Sequence, residues 1–510
     1  GLEGVDAGAF KKQITALRSK FPPGGTGRHF DTGVKRAKLD LLWDVYRKHP
    51  PHGLAAFRSF QKDNQSWLGP YGVFKVLKEK MDFRSWEEWP AEYRGGLART
   101  ALAGADLERA DFHDWVQWQL HAQFRRARAA CARQGVLLMG DLPFLVSRDS
   151  ADVWSRQDRF KLDLAAGAPP DACFAAGQKW GMPPYDWARI ASEGYSYVIE
   201  RLRYAENFYD LFRIDHFVGL FRLWSFPLAG GEGFFDPADE SVWEDHGRRI
   251  LTTIVANTSM LPCAEDLGTV PDCSYKLLRE FSVPGMDVQR WSKNWDTGEF
   301  RDPRDYRLNS MATVSTHDLT SLAAWWEFEA GTVDEVVFRR KCEAHGIAYA
   351  SARASLFDEE RSRHGRLRWK SEVADGRLLP GLLGKAEHQV GDFLEMHRQT
   401  FDEKEKFWAF LGLKGAPPEK SGPAFVAAAL EKANASASVF TSQLLQDWLS
   451  LGRDLEGEDV WNFRINFPGT MSDANWTLTM PVSLERMGSL AINKKILAIN
   501  EKTGRAGKAR

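Results

Sequence analysis

The sequence predicts an α/β protein, and within that class a (β/α)8 (TIM) barrel with helical insertions. Three observations favour this fold: helices alternate with short apolar strands, several of these strands end at an acidic residue, and the composition suits a large packed core. Of the 510 residues, 43% are hydrophobic and 27% are charged, which excludes disorder across the whole length. The 68 basic and 69 acidic residues give a formal net charge of −1. This balance argues against a dedicated nucleic-acid or anionic-membrane binder.

The alternation of helix and strand occurs four times between residues 112 and 318. In the first copy, helical spacing over 112–134 leads through Gly135 to an apolar strand at 136–139, which is followed by Asp141. The later copies are a helix at 195–208 with a strand at 211–214 ending at Asp215, a helix from 250 with a strand at 260–264 ending at Glu265, and a strand at 311–315 followed by Thr316, His317 and Asp318. Further candidate strands are 285–289 and 438–441. Such alternation implies parallel strands covered on both faces, as in a doubly wound sheet or a closed barrel. Acids at strand C-termini favour the barrel, whose active sites lie at that end.

The pattern divides the chain into five segments. Two of them are mostly helical: residues 1–110, a segment associated with the barrel, and residues 327–435, an insertion. The barrel strands with their catalytic loops occupy 111–326, and the last strand with a C-terminal signature occupies 436–493. Residues 494–510 are basic and contain glycine, so we expect a frayed tail.

Asp215, Glu265 and Asp318 are the candidate catalytic carboxylates. A buried carboxylate without a partner is costly, so their recurrence at strand ends indicates a salt-bridge network, helix N-caps or a catalytic acid cluster. Arg213 precedes Asp215 by two residues and shares its face of the strand. It either keeps a nucleophilic Asp215 ionised or forms a plain ion pair with it. Glu265 is the candidate proton donor, because negative charge on Asp266 or Asp215 favours its protonated form.

Other chemistries find little support in the sequence. There is no phosphate-binding GxxxxGK[ST] loop, no GxGxxG between strand and helix, and no HExxH or GxSxG motif. His216, His246 and His317 lack metal-ligand spacing, and the five cysteines contain no CxxC pair, so free thiols are expected. No apolar run reaches the roughly 18 residues that a membrane span needs, and the chain is expected to be cytoplasmic. The 20 tryptophans are either core residues or flat faces for sugar rings.

Three strand-end motifs make the chain resemble a known family. Phe212-Arg213-Ile214-Asp215-His216-Phe217, Ala264-Glu265-Asp266-Leu267-Gly268 and Ser315-Thr316-His317-Asp318 are similar to motifs of the α-amylase clan in the form found in amylomaltases, which are 4-α-glucanotransferases or disproportionating enzymes. Gly140-Asp141-Leu142-Pro143 with Asp149–Trp154 is similar to the third-strand motif, and Gly177–Gly181 with Tyr185-Asp186-Trp187 to the glucan-binding loop. Residues 464–476 match the C-terminal signature. The resemblance covers about residues 60–480.

The resemblance implies a retaining mechanism on α-1,4-glucans. Asp215 would be the nucleophile, Glu265 the general acid/base, and Asp318 the third acid, which binds and distorts the sugar. Transfer to the 4-hydroxyl of another glucan or glucose would remake the bond. The implied substrate-binding residues are Arg213, His317, Asp141, Gln178, Trp180 and Tyr185, with Trp180 and Tyr185 as aromatic platforms. The implied partners are maltooligosaccharides and starch- or glycogen-derived glucan, with neither metal nor organic cofactor. The resemblance leaves the oligomeric state open.

The chain departs from the family at its beginning. The family normally starts with roughly a hundred or more residues that hold the first two barrel strands, and we do not find them here. The strands in 111–326 would therefore be strands 3–7, in a barrel that lacks its first two strands. Two alternatives to the transferase remain: an α-glucan hydrolase of the same clan, and an inactive, N-terminally truncated glucan-binding fragment.

Overall fold

The computed structural model of the protein describes residues 2, 3, 5–22, 28–170, 177–452, 455 and 457–507. They form two compact units. Unit 1 comprises Gly1–Ala168, Lys179–Asp266 and Val270–Leu277, and unit 2 comprises Pro169–Gln178, Leu267–Thr269 and Leu278–Arg510. Among the helices of the described residues, none has both the length and the apolar composition needed to cross a membrane.

Unit 1 contains ten complete helices and six complete strands among its described residues, and a seventh strand, β3, crosses the boundary between the two units. The helices are α1 (Lys11–Lys20), α2 (Thr32–Lys48), α3 (Ala55–Asp63), α4 (Gln65–Lys80), α5 (Ala91–Arg94), α6 (Gly104–Arg133), α7 (Ala151–Ser155), α8 (Trp187–Ser192), α9 (Ser196–Ala205) and α10 (Trp243–Ala256). The strands are β1 (Met139–Leu142), β2 (Leu164–Ala168), β3 (Gln178–Lys179), β4 (Leu211–Ile214), β5 (Leu223–Pro227), β6 (Phe234–Asp236) and β7 (Leu261–Ala264). The next helix, α11 (Asp272–Glu280), crosses the boundary between the two units.

The first parallel sheet has the order β1-β4-β7. The predicted succession of helix and parallel strand is confirmed here, since α6 precedes β1, α9 precedes β4 and α10 precedes β7. The first strand lies further along the chain than predicted. Val136 and Leu137 are exposed and belong to the connection that leaves α6 at Gly135, which has a positive φ. The strand begins only at Met139, which pairs with Leu211.

A second sheet of unit 1, in the order β3-β2-β5-β6, was not predicted. Strand β2 pairs antiparallel with β5, and β5 pairs antiparallel with β6. A half-buried antiparallel strand usually shows alternating apolar and polar residues. The sequence of β2, Leu-Ala-Ala-Gly-Ala, lacks this alternation. Strands β2 and β3 precede β4 in the sequence, and β5 and β6 follow it. The sheet is thus built from the segments on either side of the strand that leads to the predicted nucleophile.

The described part of residues 1–110 is helical, as predicted. Helices α2, α3 and α6 pack through a core of aromatic side chains in which Phe57, Phe112 and Trp115 are almost fully buried. Tyr46 and Phe112 meet edge to face with ring centroids 5.6 Å apart, a favoured aromatic geometry. Tryptophans therefore serve mainly as core residues in this part of unit 1.

Unit 2 contains the remaining strands and helices. In chain order they are β8 (Gly285–Val288), β9 (Ser310–Thr313), α12 (Leu322–Ala324), β10 (Thr332–Asp334), α13 (Glu335–Ala344), α14 (Tyr349–Leu356), β11 (Phe357–Arg363), β12 (Arg366–Trp369), α15 (Leu379–Leu383), α16 (Gly391–Thr400), α17 (Glu403–Phe410), α18 (Pro423–Asn434), β13 (Phe440–Thr441), α19 (Leu445–Leu449), α20 (Leu484–Met487) and α21 (Ile492–Lys502).

Unit 2 has its own parallel sheet, in the order β13-β9-β8, and this confirms the predicted strands near 285, 311 and 440. The central strand β9, with the sequence Ser-Met-Ala-Thr, is buried along its whole length, as is typical of a strand in a parallel sheet. Just beyond β9, the Val314 N–H donates to the side chain of Gln443, 129 residues further along the chain. The described strands thus form two three-stranded parallel sheets, one in each unit, and the closed barrel stays a prediction.

The segment 327–435 is not purely helical. Its helices accompany a three-stranded antiparallel sheet in the order β10-β12-β11, with a core that includes Phe338, Leu356 and Phe393. Strand β11 has the sequence Phe-Asp-Glu-Glu-Arg-Ser-Arg and is mostly exposed after its first residue. Its charged composition resembles an exposed helix, which is why the sequence pattern did not reveal the sheet.

The expectation of a frayed tail at 494–510 is wrong for its described part. Residues 492–502 form α21, in which Ile492 and Ile499 are buried in the main core of unit 2. Beyond the helix, the Arg505 guanidinium donates to the carbonyl oxygens of Asn434, Ser436 and Ser438 at 2.7–2.8 Å. The apolar residues of α21 are spaced seven apart among lysines, and the basic composition concealed this stripe.

Four cysteines lie in the described part of the chain, and all four are free. Cys263 and Cys342 are buried, whereas Cys131 and Cys273 are partly exposed. The expectation of free thiols is confirmed for these residues. Cys173 lies outside the described residues.

Candidate active site

Asp215 and Glu265 follow two neighbouring parallel strands directly. Strand β4 ends at Ile214, strand β7 ends at Ala264, and these two residues are partners in the register of the sheet. The next residue on each strand is the predicted carboxylate, and the Glu265 N–H donates to the carbonyl of Ile214 at 3.0 Å. Neighbouring strands lie about 4.8 Å apart, so the backbone places the two carboxylates side by side at the C-terminal edge of the sheet.

Arg213 links Asp215 to Asp141 of the adjoining strand. Its guanidinium donates to both oxygens of Asp141 at 2.8 and 2.9 Å and to one oxygen of Asp215 at 2.9 Å. Asp141 and Arg213 are register partners on β1 and β4, which explains why the fork reaches the carboxylate with both branches. Burial by itself lowers the pKa of Arg213, but the hydrogen bond to Asp141 and the negative charges of Asp215, Asp141 and Glu265 outweigh it and raise that pKa. A permanent cation therefore adjoins Asp215.

Backbone amides also donate to the two carboxylates. The Phe144 N–H donates to the second oxygen of Asp215 at 3.2 Å, and the His216 N–H donates to Glu265 Oε2 at 2.8 Å. His216 has a left-handed backbone, with φ +45°, and this turn directs its amide towards Glu265. Gly219 packs close by, since a Cβ there would come within 2.7 Å of the His216 ring and 2.8 Å of Phe144. Glycine at 219 is therefore needed for this close approach.

The His216 ring is neutral at physiological pH. Burial lowers its pKa to about 4, and the positive charge of Arg213 acts in the same direction. The ring meets Trp180 edge to face, with centroids 4.8 Å apart, and the Trp180 amide donates to the carbonyl of Ala166 on β2 at 2.9 Å. The unpredicted antiparallel sheet thus holds Trp180 beside the residue that follows Asp215, and the partly exposed indole has area left for a ligand.

Tyr185 does not lie where the sequence interpretation placed it. Its side chain is only 3% exposed, its hydroxyl donates to the carbonyl of Phe144 at 2.8 Å, and the hydroxyl accepts from Arg201 at 2.9 Å. Both polar partners are internal, so the prediction that Tyr185 offers a face to a sugar is wrong. Its role is to hold the segment that presents the Phe144 amide to Asp215.

Gln178 belongs to unit 2, as the last residue of its first segment, and is partly exposed. It lies against Gly469, where an added Cβ would come within 3.7 Å of Gln178 Cβ. Gly469 has a φ of +73°, a backbone conformation that glycine adopts at no steric cost. Gln178 therefore contacts the C-terminal signature.

Asp318 and His317 lie in the loop that follows β9 in unit 2. The Asp318 carboxylate accepts from Asn466 Nδ2 at 2.7 Å and lies 3.2 Å from His317 Nε2. Arg464 donates to the Asp318 carbonyl at 3.0 Å, and the Asn466 N–H donates to the His317 carbonyl at 3.2 Å. The C-terminal signature therefore holds the third predicted acid, whose side chain remains 38% exposed.

Sequence reasoning missed the residues that hold the carboxylates. The sequence indicated Asn466 and Arg464 only as part of the C-terminal signature. Their Arg-x-Asn spacing was a usable signal, because it lets Arg464 bind the backbone of Asp318 and Asn466 its side chain. His216 was predicted to be a hydrogen-bonding or core histidine, and its contact with Glu265 is made by its backbone amide. The amide of Phe144 left no signal, because a backbone donor is independent of side-chain identity.

The arrangement in unit 1 suits attack at a carbon atom and proton transfer next to it. Asp215 has a cation and an amide on its two oxygens, which favours the ionised form that a nucleophile needs. Glu265 accepts from the backbone amide of His216 at Oε2. Two neighbouring carboxyl groups with these different partners are the arrangement used to hydrolyse or transfer glycosidic bonds.

Comparison with known proteins identifies relatives along almost the whole chain. A family model described as 4-alpha-glucanotransferase matches residues 3–484. A 4-alpha-glucanotransferase of Chlamydia pneumoniae is 30% identical over 475 residues, which cover 92% of this chain and 76% of the relative. Among solved structures, an amylomaltase from Streptococcus agalactiae in complex with acarbose aligns with a TM-score of 0.68 at 20% identity, over 98% of this chain and 86% of that one. An amylomaltase from Corynebacterium glutamicum aligns with a TM-score of 0.61 at 21% identity, over 93% of this chain and 60% of that one.

Proposed function

Because the chain belongs to the 4-alpha-glucanotransferase family, we propose that it cleaves an α-1,4 bond of a donor glucan through a covalent intermediate and transfers the released unit to another glucan. The substrates would be maltooligosaccharides and starch- or glycogen-derived glucan. The observation that carries this proposal is the register of β4 and β7, which sets Asp215 and Glu265 beside each other with different hydrogen-bond partners. Acarbose, the ligand of the amylomaltase from S. agalactiae, is the corresponding test ligand.

In the first half of the proposed reaction, Asp215 attacks the anomeric carbon of the donor. Glu265 gives its proton to the glycosidic oxygen, so the reducing-end product leaves as an alcohol while an ester forms between Asp215 and the remaining sugar. Arg213 holds Asp215 ionised until attack, and the Phe144 amide keeps the carboxylate oriented. Asp318 binds hydroxyl groups of the distorted sugar, with Asn466 and His317 fixing its carboxylate.

In the second half, the attacking group is the 4-hydroxyl of an acceptor glucan, whereas in a hydrolase it would be a water molecule. The carboxylate of Glu265 takes the hydroxyl proton while the acceptor oxygen attacks the anomeric carbon, and Asp215 leaves as a carboxylate. One α-1,4 bond is broken and one is made, so no net oxidation or reduction occurs. Trp180 supplies an aromatic surface next to His216 on which the sugar chain stacks, and such stacking favours a bound acceptor over water.

The test is to incubate the purified chain with maltotriose and separate the products over time. Glucose together with oligosaccharides longer than maltotriose is expected. Glu265→Gln and Asp215→Asn should each abolish turnover, whereas Glu232→Gln, a change of the same kind at an exposed loop residue, should leave it unchanged. Glucose and maltose without longer products would indicate a hydrolase instead of a transferase. Full activity of Glu265→Gln would refute the proposed acid/base.

A further inference from the structure

Arg290 is a buried cation at the end of β8. It lies two residues after Val288, the last residue of the strand, and only 3% of the residue is exposed. The guanidinium donates to the Val314 carbonyl at 3.2 Å, to the Thr320 hydroxyl at 3.1 Å and to the Thr320 carbonyl at 3.0 Å. It also donates to the hydroxyl of Ser315. A single side chain thus binds four acceptors in the segment between β9 and α12.

These acceptors lie on both sides of Asp318. Val314 and Ser315 precede it by four and three residues, and Thr320 follows it by two. Arg290 therefore ties the two ends of the Asp318 loop to one rigid, planar group. The tip of the same loop is held independently by Asn466 and Arg464, as described above. Among the hydrogen bonds of the described residues, no other cation binds both ends of this loop.

A buried acid and an aromatic ring lie near Arg290 in unit 2. Asp447, on α19, is fully buried and accepts from the Leu322 N–H at 2.7 Å. Burial raises the pKa of Asp447 to about 6, although the Leu322 amide, the charge of Arg290 and the Ser315 hydroxyl act in the opposite direction. Trp325 lies under the guanidinium, with its ring centroid 5.3 Å away, a cation–π distance. Burying a charge is costly unless partners offset it, and the four acceptors and the Trp325 ring are the partners that offset it for Arg290.

We propose that Arg290 is a positioning residue for the transfer reaction: by holding both ends of the 314–320 segment, it fixes the carboxylate of Asp318 where the distorted sugar binds. The inference rests on the proposed function, since it takes Asp318 as the acid that acts on the substrate. It differs from a purely structural role in one respect. Loosening the loop displaces a group needed in the transition state and lowers kcat, while the remaining binding contacts keep KM nearly constant.

The test compares Arg290→Met with Arg368→Met in the full chain. Arg368 is a matched control, because it too is buried, it donates only to the backbone carbonyls of Ala330 and Glu327, and it lies in β12 outside the Asp318 loop. With maltotriose, Arg290→Met is expected to lower kcat by about 10- to 100-fold, as misplacement of a reacting group by about 1 Å does. KM should change by less than about threefold, and Arg368→Met should keep kcat within about twofold of the wild type at a comparable loss of melting temperature.

Milder variants decide the question if Arg290→Met does not fold. Thr320→Val removes one acceptor and keeps the side-chain shape, and it should lower kcat by roughly three- to tenfold. This is less than the full value of a hydrogen bond to a charged group, because the Thr320 carbonyl still accepts from Arg290. Arg290→Lys keeps the charge but cannot reach both ends of the loop, so it should restore the folded yield without restoring kcat. Unchanged kcat in Thr320→Val, or equal effects of Arg290→Met and Arg368→Met on kcat, would overturn the inference.

One further variant separates this inference from the proposed function. If Asp318→Asn loses turnover while Thr320→Val and Arg290→Lys keep full kcat, the role of Asp318 holds and only the positioning role of Arg290 fails. If Asp318→Asn turns over maltotriose as fast as the wild type, the role given to Asp318 fails and the inference falls with it. In a double-mutant comparison, Asn466→Ala combined with Thr320→Val should lose less than the sum of the two single effects, because both act through the same carboxylate.

Discussion

Replacing Arg213 by Met should lower kcat/KM for maltotriose by about 13- to 45-fold. Among the hydrogen bonds of Arg213, two go to Asp141 and one goes to Asp215, the proposed nucleophile. A hydrogen bond to a charged group contributes about 1.5–3 kcal/mol, and Asp215 is 34% exposed, so water replaces part of the loss and the lower half of that range applies. Each 1.36 kcal/mol corresponds to about tenfold in rate, which gives the stated range.

The assay is the initial rate of glucose release at several maltotriose concentrations, with Asp141→Asn as the companion variant. Asp141 touches Asp215 only through Arg213 in the described contacts, so its replacement should cost about threefold or less, because its partner retains other bonds. The double variant should be no slower than Arg213→Met alone. The reasoning is refuted if Arg213→Met keeps the wild-type rate, or if Asp141→Asn is the more damaging of the two changes.

Three other predictions concern the surroundings of the site and the C-terminus. Trp180→Ala should raise KM for maltotriose by roughly two- to tenfold, the value of one aromatic contact; Tyr185→Phe should leave KM unchanged and lower the free energy of unfolding by about 1–3 kcal/mol, and the opposite pattern would restore Tyr185 as a platform. Arg505→Ala should lower the urea midpoint by the equivalent of about 2–4 kcal/mol, for four carbonyl hydrogen bonds, whereas an unchanged midpoint would mean that the tail adds nothing. Because the pKa of His216 is about 4 in the folded chain and 6.5 ordinarily, the unfolded chain binds the extra proton, so stability falls as the pH drops from 6.5 to 4. Denaturant titrations at pH 4.5 and 7 give the free energy of unfolding at each pH. Between the two pH values His216→Asn should lose less of it than the wild type, and an equal loss in the two proteins would contradict the prediction.

The sequence was informative where one strong periodic signal dominated. Strand β4 was predicted with its observed bounds, because a buried parallel strand is a short continuous apolar run and an acid marks its end. The same logic located β7, β8 and β9 within one or two residues. The carboxylates at these strand ends could be identified from the sequence because strand C-termini are where such barrels place their chemistry.

The rest depended on contacts between residues far apart in the chain. Nothing local distinguishes Tyr185, which is buried against Phe144 and Arg201, from a tyrosine exposed in a groove. Likewise, the charged strand β11 becomes a strand only by pairing with β12. The role of Arg290 follows from acceptors 24–30 residues away, which spacing alone does not connect. Local patterns therefore located the acids and missed the groups that hold them.

The pairing of β9 with β13 has a consequence for synthesis of the protein on the ribosome. The Val314 amide and its acceptor Gln443 are 129 residues apart, and a ribosome adds about 5–20 residues per second. The nascent chain therefore carries a strand with one unpaired edge for about 6–26 s while the intervening helices and the β10–β12 sheet emerge. Slower elongation within 327–435 prolongs this exposure, so codon choice in that stretch should influence the yield of soluble protein more than codon choice after residue 443.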